Sequence, residues 1–391
     1  MLFLLTHGLA ETPGRWVPRL AGGALALLGF LTALPAARAK DAPVQVHGIA
    51  VQDLMTVVHG GVRRGIGAPS LVHVNLTVHG SQWGTSDNTF VFVDLLGTGG
   101  SSISARAGDL QILDNVGAPN TLRLYSAWVQ HDWRSTRLSL RVGVQDYNAI
   151  FDTLDTAGLF LNSSFGIEPT ISQSGVSIYP EPTLGAVAHW HGKNGRYMTA
   201  GLFGGVPGNP EDPYGTHVAW QARDGAFYAL EGGFVSGGAR PSKLALGAWA
   251  DTSRHRNPLY PQRNHGLYLI GETRLHGEGD RHGALDGFVQ WGSAMARDNR
   301  ITRYLGAGLR LRGVFLAGQR DSLGLAVARA RVRGLPGGPP GGSETAWELT
   351  WAASLGAHFR IQPDLQYIQR PGATGAVPDA WVTGVRLEWS W

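Results

Sequence analysis

The sequence predicts an all-β chain: a transmembrane antiparallel β-barrel of about 16 strands, with 18 as the upper bound. Three observations lead there. The first is composition. With 56 glycines, 13 tryptophans, no cysteine and only 16% charged residues in 391, the chain lacks the charged coat of a soluble protein. Disorder is excluded by the 43% hydrophobic content and a net charge of +4. The second is apolar alternation with period two, the signature of strands with one apolar and one wet face. The third is turn chemistry recurring between the alternating segments.

Taken in order, residues 1–39 read as a secretory signal. Arg15 and Arg19 precede an apolar stretch from Leu20 to Leu34, and Ala37-Arg38-Ala39 supplies a small-x-small cleavage site. An N-terminal anchor helix is the alternative, but the apolar stretch is short for a membrane span. Cleavage after Ala39 leaves residues 40–391 as one barrel domain. Export without cysteine suits an oxidising periplasm or outer membrane. Nothing in the charge calls for nucleic acid.

Beyond residue 40 no run of apolar residues is long enough for a transmembrane helix. Alternation recurs instead. Leu138, Leu140, Val142 and Val144 alternate with Ser139, Arg141, Gly143 and Gln145. Val72 to His79, Leu305 to Arg312, and Trp381 to Trp391 follow the same rule. Strands are expected near 46–58, 71–79, 90–96, 103–113, 122–131, 137–146, 184–192, 197–204 and 216–223. Others are expected near 226–236, 243–252, 266–275, 284–295, 303–315, 322–333, 344–355, 358–368 and 380–391. Turns fall at Lys193-Asn194-Gly195, Asp224-Gly225 and Arg240-Pro241-Ser242. Counting back from the C-terminus, however, puts the long 205–215 connection where a short turn belongs, so one strand between 184 and 236 is miscounted. A barrel of this size encloses an aqueous channel.

Lipid accepts no hydrogen bonds, so the apolar set faces out and the polar set lines the lumen. Tryptophans at strand ends, such as Trp381, Trp389 and Trp391, suit interfacial girdles.

Several stretches resemble the carbohydrate-selective porins of the OprB family. They are Gly158 to Pro169 (GLFLNSSFGIEP) with Ser172-Gln173-Ser174 and Tyr179-Pro180, and Arg123 to Tyr125 with Trp128. Leu138 to Gly143 ahead of Asp146, Glu344 to Leu349, Gln362 to Tyr367 with Pro371-Gly372, and Val385 to Glu388 complete the ordered set. The resemblance runs from about residue 46 to the end. It implies a sixteen-stranded channel in the outer membrane of a Gram-negative bacterium, passing monosaccharides such as glucose and similar small polar solutes. The Arg320-Asp321-Ser322 stretch lacks a second acidic residue of the family pattern, which leaves solute choice more open than fold.

The connection 147–183 is the longest and shows little alternation, and a loop of that length is usually functional. It is expected to fold into the lumen as a constriction carrying Asn162, Ser163, Ser164, Glu168, Ser172, Gln173 and Ser174; an outer-surface loop is the alternative. Inward arginines (Arg141, Arg310, Arg312, Arg386) offer planar forks of donors to vicinal hydroxyls. Inward acceptors Asp94, Glu348, Asp364, Gln366 and Glu388 balance the field, and a near-neutral lining favours uncharged sugars. Arg–carboxylate cross-links within the wall would use the same residues. Trp128 and Trp249 on the polar face can stack on a sugar, although a girdle position fits a tryptophan equally. Trp128 is ambiguous because Tyr125, Ala127 and Val129 can equally form the outer set.

No G-x-S-x-G, H-E-x-x-H or P-loop motif occurs. His189 and His191 share one strand face without an evident third ligand, so no metal and no cofactor is implied. Three functions remain to compare: sugar-selective diffusion, a general non-selective porin, and an outer-membrane barrel hydrolase. The partners implied are small neutral sugars, outer-membrane lipids and, through the terminal Trp391, the barrel-assembly machinery.

Overall fold

Why these segments pair follows from their alternation: each strand can bury neither face alone, and only closure leaves no edge exposed to lipid. The computed structural model describes residues 44–391 except 85–87, 210–213, 222–223, 254–262, 279–281, 296–298, 317–319 and 335–340. The predicted signal segment lies outside the described residues.

The strands are β1 (Val44–His59), a short β2 (Gly65–Gly67), β3 (Ser70–His79), β4 (Thr89–Gly99), β5 (Thr121–Trp133) and β6 (Leu138–Gln145). There follow β7 (Thr183–His191), β8 (Arg196–Gly204), β9 (Ala226–Ser236), β10 (Ser242–Asp251), β11 (His265–His276) and β12 (Leu285–Ala294). The last are β13 (Ile301–Arg312), β14 (Asp321–Val332), β15 (Gly342–Leu355), β16 (Phe359–Gln369) and β17 (Ala380–Ser390). Apart from the three-residue β2, sixteen strands pair antiparallel with their neighbours, and β1 closes the cylinder against both β3 and β17. At the seam Gly48 and Trp391 exchange both backbone hydrogen bonds, at 3.1 and 3.0 Å.

Connections alternate in length. Both ends of the described chain and the turns at 134–137, 192–195, 237–241 and 356–358 lie at one rim, while 100–120, 146–182 and 205–225 leave the other. This is the asymmetry of an outer-membrane barrel, with short periplasmic turns and longer outer loops.

Two expected strands are absent. Residues 216–221 form no strand, 222–223 lie outside the described residues, and β8 is followed by β9 across the outer rim, so the count from the C-terminus comes out right. Residues 103–113 form no strand either. They carry a one-turn helix α1 (Ser104–Ala107), and Ile103, Ala107, Leu110 and Leu113 are buried. The spacing of those four is helical rather than alternating.

The outer surface is apolar: Leu54, Leu122, Val142, Leu244, Leu246, Val289, Leu305 and Leu325 are exposed, as is Trp133, Trp190, Trp381 and Trp389 at strand ends. Polarity is therefore inverted relative to a soluble sandwich, in which exposed residues are charged.

Candidate functional site: a lumen narrowed by two inner loops

Residues 100–120, the first inner loop, and residues 146–182, the second, both turn into the barrel. Their apolar side chains Ile103, Leu113, Phe151, Leu159, Phe160, Leu161, Phe165 and Ile171 join inward-facing wall residues in one buried cluster. Among the wall partners are Met55, Val57, Ala326, Ala328, Ala346, Ile368, Ala380 and Val382. Small side chains on β14 to β17 make the room that the loops fill. The short helices α2 (Ser163–Gly166) and α3 (Pro169–Ser172) lie in the second loop, and Asn162 caps α2 through its side-chain oxygen to the Ser164 amide.

Loop backbone inside a barrel needs acceptors, because most of its amides are cut off from water. The wall supplies them as carboxylates that each take neighbouring N–H groups. Glu348 accepts from the Leu161 and Asn162 amides at 2.6 and 2.9 Å. Glu272 accepts from Asp155 and Thr156 at 3.1 and 2.7 Å. Glu344 accepts from Leu110, Gln111 and Gly372. Wall amides bond the loop carbonyls in turn: Gln362 to Leu159, Gln366 to Leu113 and Gln290 to Phe165. The two loops also bond to each other. Asn115 N donates to Leu161 O, Ser163 N to Ile112 O, and the Tyr179 hydroxyl to Val116 O.

Arg386 on β17 joins the seam to the first loop. It donates to both Asp53 oxygens (2.9 and 2.7 Å) and to Asn115 (2.7 Å), with Asp114 at 3.4 Å. Burial holds the Asp114 carboxyl well above the usual range, and Asp53 beside it adds to that against the pull of Arg386. Glu181 in the second loop faces Arg123 on β5 at 3.8 Å. Burial likewise raises Asp146, whose oxygen takes the Tyr125 hydroxyl.

Beyond the contacts of Arg123 and Tyr125 with the second loop, inward side chains on β3 to β6 stay partly open, His73, Trp128 and Arg141 among them. His73 bonds Asp94 at 2.7 Å and meets the Tyr125 ring edge-on. Phe92 on β4 stacks on Trp128 at 4.9 Å, and the Arg141 guanidinium from β6 lies over the same indole at 4.0 Å. Arg141 Nε donates to Gln130 at 2.9 Å. Gly143 faces Trp128 in the ladder with φ +144, and an added Cβ would sit 2.2 Å from the Ala127 oxygen and 2.6 Å from the Trp128 Cα. Only glycine lets the indole lie flat there.

The expected lining therefore divides. A bulge opposite Asp94 and Leu95 shifts the parity of β5, so both Tyr125 and Trp128 point inward. Arg141 and Trp128 stand on the open wall. Arg312 faces inward and bonds Asp286, which also holds Arg274; Arg310 bonds Ser322. Glu388 lies 3.6 Å from Arg360. Glu348 and Gln366 face inward but lie buried beneath the loops as their anchors; Asp364 is buried beside Gln366, from whose side-chain amide it accepts, and Asp94 is buried against His73. Trp249 also faces inward, buried behind the second loop and stacked on Phe227, out of reach of a passing solute.

In the second loop Ser163 and Ser172 keep some exposure, while Asn162, Ser164, Glu168, Gln173 and Ser174 are buried. Gln173 pins the loop to Ile301 through both its amide atoms, and Ser174 accepts from Asn264. Period two identifies the face of a strand, not what later covers it. Asp53, Asp114, Asn115 and Tyr179 escaped the sequence because their roles need the first loop inside. His189 and His191 touch, Nε2 to Nδ1 at 3.2 Å, but among the described residues no group of three or more metal-binding side chains gathers.

The model of the carbohydrate-selective porin family OprB matches residues 81–391. In a search of curated proteins no sequence matches the chain. Among solved structures, the chain is similar to Pseudomonas putida OprB in its high-pH structure, with a TM-score of 0.77 at 17% identity, over 89% of this chain and 94% of that one. The low-pH structure of the same protein gives 0.60 at 15% identity, over 95% and 98%. A variant of the Rh. blastica porin gives 0.55 at 11% identity, over 89% and 100%.

Proposed function

Starting from the fact that this chain belongs to the OprB family of carbohydrate-selective porins, an integral outer-membrane channel and not an enzyme, we propose that neutral monosaccharides such as glucose pass along its β3–β6 wall. The observation that carries this reading is the Phe92–Trp128–Arg141 stack. Phe92 and Arg141 approach the indole from the two flanking strands, so Trp128 serves chiefly to fix the arginine. With its Cζ 4.0 Å over the ring and Nε on Gln130, the guanidinium is left with its terminal N–H groups as a preorganised fork. Vicinal hydroxyls fit such a fork. Acids and bases are paired inside the barrel, Arg386 with Asp53 and Asp114, Arg123 with Glu181 and Arg312 with Asp286, and the partly exposed members, Glu181 and Arg312, are of opposite sign. A lining of mixed sign selects weakly between ions and leaves solvated polar solutes to hydrogen-bond their way through.

Single-channel recording tests this. Glucose should block the ion current in a concentration-dependent way, with little preference between cations and anions. Unblocked current would instead favour the second reading, a general diffusion porin. In Arg141→Met the blocking concentration should rise about tenfold, the equivalent of about 1.4 kcal/mol for a charge-assisted hydrogen bond. An unchanged blocking curve would remove Arg141 from the solute path.

We further infer that lipid covers the apolar outer wall and that the C-terminal strand is read by the barrel-assembly machinery. The pairing of Trp391 with Gly48 at the seam supports the second point. Deleting Trp391 should lower the amount of barrel at the cell surface, measured by surface labelling, while the channels that do form keep wild-type conductance. Normal surface levels would count against this role.

A further inference from the structure

We propose that the second inner loop is latched by protons on the buried pair Asp152 and Glu168, and that alkaline pH releases this stretch and widens the channel. The inference rests on the channel reading above and concerns its regulation.

Both side chains belong to the loop, and both are buried, Asp152 at 0% and Glu168 at 1% exposure. The Glu168 amide donates to one Asp152 oxygen at 3.0 Å. The other Asp152 oxygen and both Glu168 carboxyl oxygens have no hydrogen-bond partner. Glu168 enters the space left by Gly292 on β12, where even a Cβ would fall 1.3 Å from Oε2. The carboxyl is thus pressed onto bare wall backbone, where the Thr170 hydroxyl is the donor beside it and, among the described residues, no cation faces it.

The groups facing the pair do not compensate it. From the loop itself come the Tyr147 and Thr170 hydroxyls. Glu231 on β9 is a third acid, already accepting from the Asp152 amide and the hydroxyls of Tyr197 on β8 and Tyr268 on β11. Glu272 on β11 holds the Asp155 and Thr156 amides. β12 contributes the uncharged Gln290, bonded to Phe165, and β13 contributes Tyr304, bonded to Ser164. Lys243 on β10 is the cation on this side, and its ammonium is bonded to both oxygens of Thr153. A divalent cation is the other way to neutralise two acids, but it takes six to eight oxygens. Among the described residues no group of three or more ligating side chains is available. Protons remain.

The direction of titration agrees. Burial pushes Asp152 up to about 8, with Glu231 adding to it against the Glu168 amide and Lys243. Burial, then the Asp152 charge, holds Glu168 well above the ordinary carboxyl range. A carboxyl raised by folding supports the folded arrangement fully at low pH and loses that support as pH rises through its folded value. The latch therefore holds at neutral pH and opens on the alkaline side.

Conductance of single channels in planar bilayers tests this from about pH 6 to about pH 10, with and without a calcium chelator. The wild-type conductance should rise as pH climbs toward and through about 8. Asp152→Asn combined with Glu168→Gln, neutral at every pH, should remove the step and keep the low-conductance state. Should that variant fail to assemble, Asp152→Asn serves instead: losing the neighbouring charge, it shifts the midpoint downward. A flat wild-type curve, or the same rise in the double variant, overturns the proposal. So does a rise on chelation at pH 6, which would mean a metal ion rather than protons. Absence of glucose block at pH 6 would sink the carbohydrate path while leaving the pH step to be judged on its own.

Discussion

Glu348→Ala should produce a channel that conducts more and is no longer blocked by glucose, in a barrel that still assembles. The effect is large because the carboxylate takes two consecutive amides, Leu161 and Asn162, whose residues are both fully buried. Leaving a buried donor unsatisfied costs about 1–3 kcal/mol, so two together exceed what a loop segment can absorb in place. That cost falls on the loop and not on the strand ladder, since the residue pairs with Ala326 and Gln366 through backbone alone. Glu348→Gln is the finer probe. It keeps one acceptor oxygen and turns an NH2 toward the second amide, so its conductance should lie between the two. Conductance and resistance of the folded band to heat, measured together, separate loop from barrel. Unaltered conductance in Glu348→Ala would show that Glu272 and Gln362 suffice to hold the loop.

Arg386→Met should be the most destabilising single change in the lumen. It strands Asp53, fully buried, without its counter-charge and takes a donor from Asn115 in the first loop. Removing one member of a buried ion pair typically costs about 3–5 kcal/mol, because the charge left behind stays desolvated. Asp53 and Arg386 stand opposite each other on the first and last strands, so the loss falls on the closing seam as well as the first loop. Heat-induced loss of the folded band should therefore occur at a lower temperature. Combining Arg386→Met with Asp53→Asn should recover part of the loss, and the size of the recovery measures the coupling. Additive effects in the double variant would mean that the pair does not act as one unit.

The barrel was legible in the sequence because lipid and water impose opposite demands on alternate residues, and β6 and β17 show that rule almost without exception. The lumen was less legible for the same reason. Alternation places Glu348, Gln366 and Trp249 on the inner face, yet the loops that bury them come from elsewhere in the chain. Residues 103–113 were misread as a strand because Ile103, Ala107, Leu110 and Leu113 are apolar, although their spacing is that of a helix and its following turn. The long second loop declared itself by length. The first, shorter and rich in apolar residues, did not. Trp128 stayed ambiguous until the bulge on β5 fixed its side, and a bulge leaves no periodic trace.

The contacts that set the width of the passage share one property, their reach along the chain. Leu161 and Glu348 are 187 positions apart, Leu110 and Glu344 are 234, Gln366 and Leu113 are 253, and Arg386 and Asp53 are 333. None can form until distant strands have been brought round to one another, and such long-range closures are late events in folding. A ribosome or membrane holding half of this protein holds strands but no filter. Selectivity belongs to the finished ring alone, and it arrives with the last strand.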